Sequence, residues 1–292
     1  MPCKLTEAQV AQYRRDGFCF PVPVFSPEEV INLRKQLETF ETHQGHVLQG
    51  AQRLKTSLLL TWVDRLIRDP RILDPVEDLI GPNILCWSVQ FWIKEPKTID
   101  YVSWHQDHQY WGLDSAEIVT AWVALSPATI ESGCMRMQPG SHTVHLPHRD
   151  LFEKTNMLSR GQTITEGIHE AGAVNIILKP GEMSLHNVRI AHASAPNRSE
   201  DRRIGISIRY MPPHTRQQLA EWDSAALVRG EDRYGHFVHE PSPGRDFDPT
   251  CVAFHKKTVT NLLSFLYKDA AGGKKAEYQV GLGRHFVQKV TE

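Results

Sequence analysis

The pattern of apolar and polar positions changes character near residue 82. Before it, apolar residues recur at helical spacing. Leu5 to Arg15 sets Leu5, Ala8, Val10, Ala11 and Tyr13 among polar residues, and Asp16-Gly17 follows as a stop, which predicts a first helix. Ser26-Pro27-Glu28-Glu29 predicts a second: an N-cap serine, a proline at the first helical position and a glutamate at the third form a capping box. That helix is expected to run to about Phe40, with Val30, Leu33, Leu37 and Phe40 on one stripe. A third is expected over Arg71 to Leu79, ending at Gly81-Pro82. From residue 83 short Ile/Val/Trp/Phe-rich runs alternate with turn residues. Strands are predicted at Ile84–Lys94, Ile118–Leu125, Cys134–Met137, Val174–Leu178, Met183–His186 and Ile204–Met211, with Pro139-Gly140, Pro180-Gly181 and Pro196-Asn197 as turns. Strands without helices between most of them predict an antiparallel barrel or jelly roll. The fold class is therefore mainly β with flanking helices: one domain over 1–292, with N-terminal helices in 1–82, a β core in 83–211 and a C-terminal extension in 212–292. Residues 142–172 and 212–250 read as long excursions suited to covering a site, and Gly272-Gly273-Lys274-Lys275 as a hinge.

Composition narrows the class. The 292 residues carry 33 Lys+Arg against 34 Asp+Glu, a net charge of -1, which argues against a phosphate backbone as partner. Hydrophobic residues at 40% and charged residues at 23% exclude wholesale disorder. Cys3, Cys19, Cys86, Cys134 and Cys251 are odd in number, scattered, and form no CxxC pair, so they read as reduced thiols. With no apolar stretch at the N-terminus and no run long enough to span a bilayer, a cytoplasmic protein without membrane contact is expected. No feature of the sequence indicates an oligomeric state. The unusual count is 15 histidines, eight of them between His105 and His192, which directs attention to the middle of the chain.

Two segments there carry chemistry. In Trp104-His105-Gln106-Asp107, strand alternation would turn His105 and Asp107 to one side. With a distant second histidine they make a two-histidine, one-carboxylate facial set that leaves sites open on Fe(II). The competing reading of His-x-Asp alone is a surface turn with a solvated aspartate. The second segment runs from Gly181 through His186, His192 and Ser194 to Tyr210. Alternation puts Ile204, Ile206, Ile208 and Tyr210 on one face, and Arg203, Gly205, Ser207 and Arg209 on the other. Buried arginines need an anionic partner, and a bound dicarboxylate supplies one.

These segments, with Tyr13-Arg14-Arg15-Asp16-Gly17-Phe18, Trp122-Val123-Ala124-Leu125, Ser132-Gly133-Cys134-Met135, Pro139-Gly140-Ser141-His142 and Asn197-Arg198-Ser199, resemble the phytanoyl-CoA dioxygenase family of Fe(II)/2-oxoglutarate-dependent oxygenases over roughly residues 10–212. The resemblance implies a double-stranded β-helix (a jelly-roll, cupin-like core), Fe(II), 2-oxoglutarate and O2. It implies His105, Asp107 and His192 as catalytic iron ligands, and Arg203, eleven after His192, as the grip on the distal carboxylate of 2-oxoglutarate. It implies Ser194 and Trp122 beside the cosubstrate, with Gln90 and Lys94 in the same pocket. Arg202 is the rival to Arg203 if the strand phase slips by one. Because the chain keeps Asp107, oxygenation rather than halogenation is implied.

Other residues admit two readings. His186 is a contact near the ligands or a strand-end histidine bonded to backbone; His142 is a site residue or a turn device; His108, Tyr110 and Trp111 wall the pocket or pack. His145, His148 and His169 read as solvated, and His214, His236, His239, His255 and His285 as structural or surface residues. Arg160 and Arg209 are candidates for an anionic group on the substrate, although Arg209 lies about 20 Å along the strand from Arg203. The expected substrate is a small polar or anionic molecule, hydroxylated with release of succinate and CO2. Alternatives are an acyl-CoA or other apolar substrate, a metal-dependent isomerase or hydrolase on the same fold, and a non-catalytic binding module.

Overall fold

The predicted capping box at Ser26 and Glu29 forms, a second and unpredicted one forms at Thr6 and Gln9, and they set the first two helices of the computed structural model, which describes residues 4–267. Thr6 and Gln9 cap α1 (Glu7–Asp16), and Gly17, in the left-handed region at φ 85°, ends it. Ser26 and Glu29 cap α2 (Pro27–Gln44), which runs one turn past the predicted end. After β1 (Phe18–Pro23) and α2 come α3 (Thr61–Ile67) and α4 (Pro70–Ile80). The strands that follow are β2 (Ile84–Lys94), β3 (Val102–His105), β4 (Val119–Ala124), β5 (Met135–Met137), β6 (His148–Asp150), β7 (Gln162–Ile164), β8 (Val174–Ile176), β9 (Glu182–Asn187), β10 (His192–Ser194), β11 (Arg203–Met211), β12 (Ser224–Arg229) and β13 (Val238–His239). The short α5 (His108–Trp111) follows β3, and α6 (Pro249–Leu266) follows β13.

The strands form a large sheet in the order β1-β9-β4-β11-β2-β12-β13, a smaller one in the order β3-β10-β5-β8, and the β6-β7 ribbon. Pairing is antiparallel except between β12 and β13. β11 lies between β4 and β2, every one of its residues is buried, and its alternation is the predicted one. Ile204, Ile206, Ile208 and Tyr210 join a core with Val30, Leu37, Trp62, Ile67, Ile72 and Val76 of the helical layer. Each such side chain contributes on the order of 1.5–3 kcal/mol by leaving water. The opposite face turns Arg203, Ser207 and Arg209 into a cavity shared with β3 and β10 of the smaller sheet.

The sheet draws on more of the chain than the 83–211 core expected from sequence. β1 escaped the pattern because Pro21 and Pro23 interrupt it, and prolines are tolerated there because β1 is an edge strand. β12, inside the supposed excursion 212–250, extends the sheet beyond β2. The excursion 142–172 carries the β6-β7 ribbon, fastened to β3 where the Ser103 hydroxyl donates to the Gln162 carbonyl at 2.6 Å and accepts from Asn156 at 2.8 Å. Cys19, Cys86, Cys134 and Cys251 are free and buried. Cys3, Gly272–Lys275 and His285 lie outside the described residues.

Candidate active site

The two histidines meet because β10 pairs with β3 in a register that sets His192 directly opposite His105. Their rings lie 4.0 Å apart between centroids. Each Nδ1 faces a carbonyl two residues earlier, Ser103 at 2.9 Å from His105 and Ile190 at 3.0 Å from His192. A carbonyl only accepts, so the proton sits on Nδ1 and each Nε2 presents its lone pair to the cavity. Burial and the neighbouring His105 push His192 down to about 4, so it is neutral at physiological pH.

Asp107 reaches the same point by a different route from the one alternation predicted. β3 ends at His105, and Asp107 is helical, at φ -61° and ψ -41°, where the chain turns into α5. Its carboxylate lies 3.4 Å from His105 Nε2. Burial by itself would raise its pKa, but the contact with His105 and the nearby His192 and Arg209 hold it well below the usual carboxylate range. One donor atom from each of His105, Asp107 and His192 falls within 4.8 Å of the others, the one such cluster among the described residues.

Gln106 is the residue the sequence reading passed over. Its side-chain amide donates to the carbonyls of Ser141 (3.2 Å), Val144 (2.8 Å) and Arg189 (2.6 Å) and accepts from the Leu146 amide at 3.0 Å. Its backbone amide donates to His148 Nε2 at 3.0 Å, so His148 braces the turn rather than standing in solvent. Gln106 thereby pins the 141–146 loop and the approach to β10 to the segment that carries His105 and Asp107. The signal in the sequence was its position between His105 and Asp107, where alternation points it away from the cavity.

At the other end of the cavity lies Arg203, 2% exposed, with no ion pair among the described residues and no partner for its Nε. Burial pushes its guanidinium down to about 10. It sits 5.4 Å from the Trp122 ring. That ring occupies the space over Gly205, where a Cβ would lie 1.9 Å from it. Arg202 points the other way and pairs with Glu41 at 2.7 Å and Glu95 at 3.0 Å. Ser194 lines the cavity, and its hydroxyl accepts from Lys94 Nζ at 2.7 Å. Lys94 also donates to the Ala195 carbonyl, and burial with the nearby Arg203 pushes it down to about 6. Lys94 and Gln90 stand behind the cavity rather than on its wall: Lys94 holds Ser194, and Gln90 accepts from Arg209 at 3.2 Å.

Asp107 is the one carboxylate on the cavity wall. His186 lines it, 5.3 Å from His192 between ring centroids and with Nδ1 unpartnered, so the strand-end reading with a backbone bond does not hold. His142 packs instead against Gly17, and His108 lines a separate surface cavity with His145 and Arg189. Trp111 supports Arg209 from below at 4.6 Å. Arg160 is not on the wall. Asp150 neutralises it, and it donates to the Leu266 carbonyl at 3.0 Å, which removes it as a grip on substrate.

The pattern of the phytanoyl-CoA dioxygenase (PhyH) family matches residues 13–205. The chain belongs to this family of Fe(II)- and 2-oxoglutarate-dependent dioxygenases. This PhyH protein resembles the non-heme monooxygenase ThoJ, with 34% identity over 89% of this chain and 98% of that one and a TM-score of 0.77. It is 28% identical to the probable alpha-ketoglutarate-dependent hypophosphite dioxygenase of Stutzerimonas stutzeri over 69% of this chain and 77% of the relative. It is also 28% identical to a probable phytanoyl-CoA dioxygenase of Caenorhabditis elegans, about half of whose length it spans (48% of each chain). Family membership displaces the non-catalytic and 2-oxoglutarate-independent readings. The donors present suit the cofactors: two imidazoles and a carboxylate for Fe(II), and a buried guanidinium without a partner for a dicarboxylate. Among the described residues no helix is long and apolar enough to cross a membrane.

Proposed function

We propose that His105, Asp107 and His192 hold the iron, that Arg203 grips the distal carboxylate of 2-oxoglutarate, and that the enzyme hydroxylates a small polar or anionic metabolite. One oxygen atom of O2 would enter the substrate and the other succinate, with CO2 released. The observation that carries this reading is the meeting of the three donor atoms within 4.8 Å in a cavity that also contains the unpaired Arg203. Bound there, iron and 2-oxoglutarate supply the oxidant derived from O2.

The chain's own residues do the rest. Ser103 and Ile190 fix the ring orientations of His105 and His192 by accepting their Nδ1 protons. The low pKa of Asp107 keeps it an anionic donor. Ser194, oriented by Lys94, would offer its hydroxyl near the cosubstrate's distal end, with the Trp122 ring beside Arg203 on the same wall.

Two buried arginines on the cavity wall support a small charged substrate, as does the relative named for hypophosphite. The relative named for phytanoyl-CoA keeps an acyl-CoA as the competing substrate. A small-molecule substrate, with neither nucleic acid nor membrane as partner, and a cytoplasmic location accord with the near-zero net charge and the free cysteines. The test is succinate formation across a panel of small carboxylates, amines, phosphonates and acyl-CoA esters. Succinate should require Fe(II), 2-oxoglutarate and O2, rise with one of the small polar compounds, and disappear in Asp107→Ala. Wild-type turnover by Asp107→Ala would refute the ligand assignment, and preference for acyl-CoA would refute the substrate class.

A further inference from the structure

The large sheet places Arg209 and His186 on the cavity wall away from Arg203, with Thr120 between them in strand order. In register, Arg209 of β11 lies opposite Thr120 of β4, and Thr120 lies opposite His186 of β9. Residues paired in this way point to the same face, on strands about 4.8 Å apart. All three are buried, Arg209 being 5% exposed, and each has a polar atom without a partner: Arg209 Nε, Thr120 Oγ1 and His186 Nδ1. Groups buried in this state are costly unless something satisfies them. Among the described residues Arg209 forms no ion pair, and its hydrogen bond goes to the neutral Gln90 at 3.2 Å. The Trp111 ring lies 4.6 Å from the guanidinium and holds it in place.

Arg209 does not serve the same anion as Arg203. Six residues of strand separate them, about 20 Å at full rise. The neighbours of each also differ. The row of Arg209 ends at His186, 5.3 Å from His192 between ring centroids, whereas Arg203 lies 5.4 Å from the Trp122 ring. Arg203 thus lies at the far end of the cavity and Arg209 on the side of the metal-binding cluster. With Fe(II) and the 2-oxoglutarate dianion bound, the fixed charges of Asp107, Arg203 and Arg209 leave one positive charge unmatched in a buried site.

We propose that Arg209, with Thr120 and His186 beside it, is a second anion site that receives the charged group of the substrate, so that the substrate class is small monoanions: carboxylates, phosphinates, phosphonates or sulfonates. This rests on the iron and 2-oxoglutarate assignments above and names the substrate chemistry they leave open. Guanidinium offers two parallel N–H bonds to such a group, the Thr120 hydroxyl a third, and His186 Nδ1 a further polar contact. Binding by the charged end leaves the rest of the molecule directed toward the iron.

The experiment uses the holoenzyme without O2, read by the visible charge-transfer band of Fe(II) with 2-oxoglutarate. The probes are hypophosphite, methylphosphonate, methanesulfonate and acetate, with dimethyl sulfone as a neutral counterpart. A monoanion should shift the band of the wild type, and dimethyl sulfone should not. Arg209→Gln should form the band but need about 30-fold more of that anion for the same shift. Arg209→Lys, which keeps the charge and loses the fork, and Thr120→Val should fall between the two. The proposal is overturned if no anion shifts the wild-type band, if dimethyl sulfone shifts it equally, or if Arg209→Gln responds at the wild-type concentration. It is overturned too if Arg209→Gln forms no band while Arg209→Lys does, since Arg209 would then serve the iron or 2-oxoglutarate. Absence of the band from the wild type would instead sink the reading on which the proposal rests.

Discussion

Arg202 and Arg203 are adjacent in sequence and do opposite work. Alternation on β11 sends Arg203 into the cavity without a partner and Arg202 outward to Glu41 and Glu95. Arg203→Ala should weaken 2-oxoglutarate by about 30-fold or more, the consequence of leaving a buried carboxylate unpaired. Arg202→Ala should leave that affinity nearly unchanged yet lower stability by about 1–3 kcal/mol, because Glu41 is buried and loses its guanidinium. Calorimetric titration of 2-oxoglutarate and urea melts of both variants separate the two effects, and the reverse order would show that the strand phase is wrong. The phase was legible because the period of two is a local property. Asp107 was legible as a residue but not as a geometry: His-x-Asp pointed to it, while a helical turn, not the strand, brings it to His105.

Gln106 shows how one side chain ties elements together. It bonds to Ser141, Val144, Leu146 and Arg189, and so couples the turn after β3 to the loop after β5 and to the entry of β10. Gln106→Ala leaves His105, Asp107 and His192 in place but removes the brace that sets β3 against β10. Fe(II) affinity should fall about 10-fold, a typical effect of losing support around metal ligands. An anaerobic Fe(II) titration checks this, and unchanged affinity would mean that the loop holds its position without the glutamine. β2, predicted as Ile84–Lys94, forms over those residues because an unbroken apolar run has one good solution in a buried strand. β1, β10 and β12 were not legible, since short strands with proline or polar residues owe their pairing to distant partners.

α6 closes the molecule against the far side of the sheet. Leu262 and Phe265 join Trp87, Trp111, Leu113 and Phe237 in one cluster, which also supports the ring beneath Arg209. On the same helix, His255 Nε2 donates to the Leu54 carbonyl at 2.8 Å. Burial pushes His255 down from 6.5 to about 4. The unfolded chain therefore takes up this proton first. Stability that is complete above about pH 6.5 is lost as pH falls toward 4, at about 1.4 kcal/mol per pH unit for this histidine, and the loss stops below the folded value. Urea melts of the iron-free protein at pH 6.5, 5.5 and 4.5 should show this slope, added to those of other buried histidines. His255→Gln should flatten it by about one proton's worth, and an unchanged slope would mean that the imidazole is already charged in the folded protein.

Local rules carry the chain a long way. A capping box, a change of period near residue 82, the alternation after Arg203 and the His-x-Asp spacing depend on neighbours a few residues apart, so most of the helical layer, the jelly roll and the candidates His105, Asp107 and His192 were readable from them. Register is not local. Nothing near Thr120 or His186 in the sequence announces that three strands align them with Arg209, or that Asp150 neutralises Arg160 while Arg209 forms no direct ion pair among the described residues. Which arginine is spent on a salt bridge and which faces the cavity depends on contacts between distant segments, and a charge buried without a partner exists only once those segments have packed and excluded water.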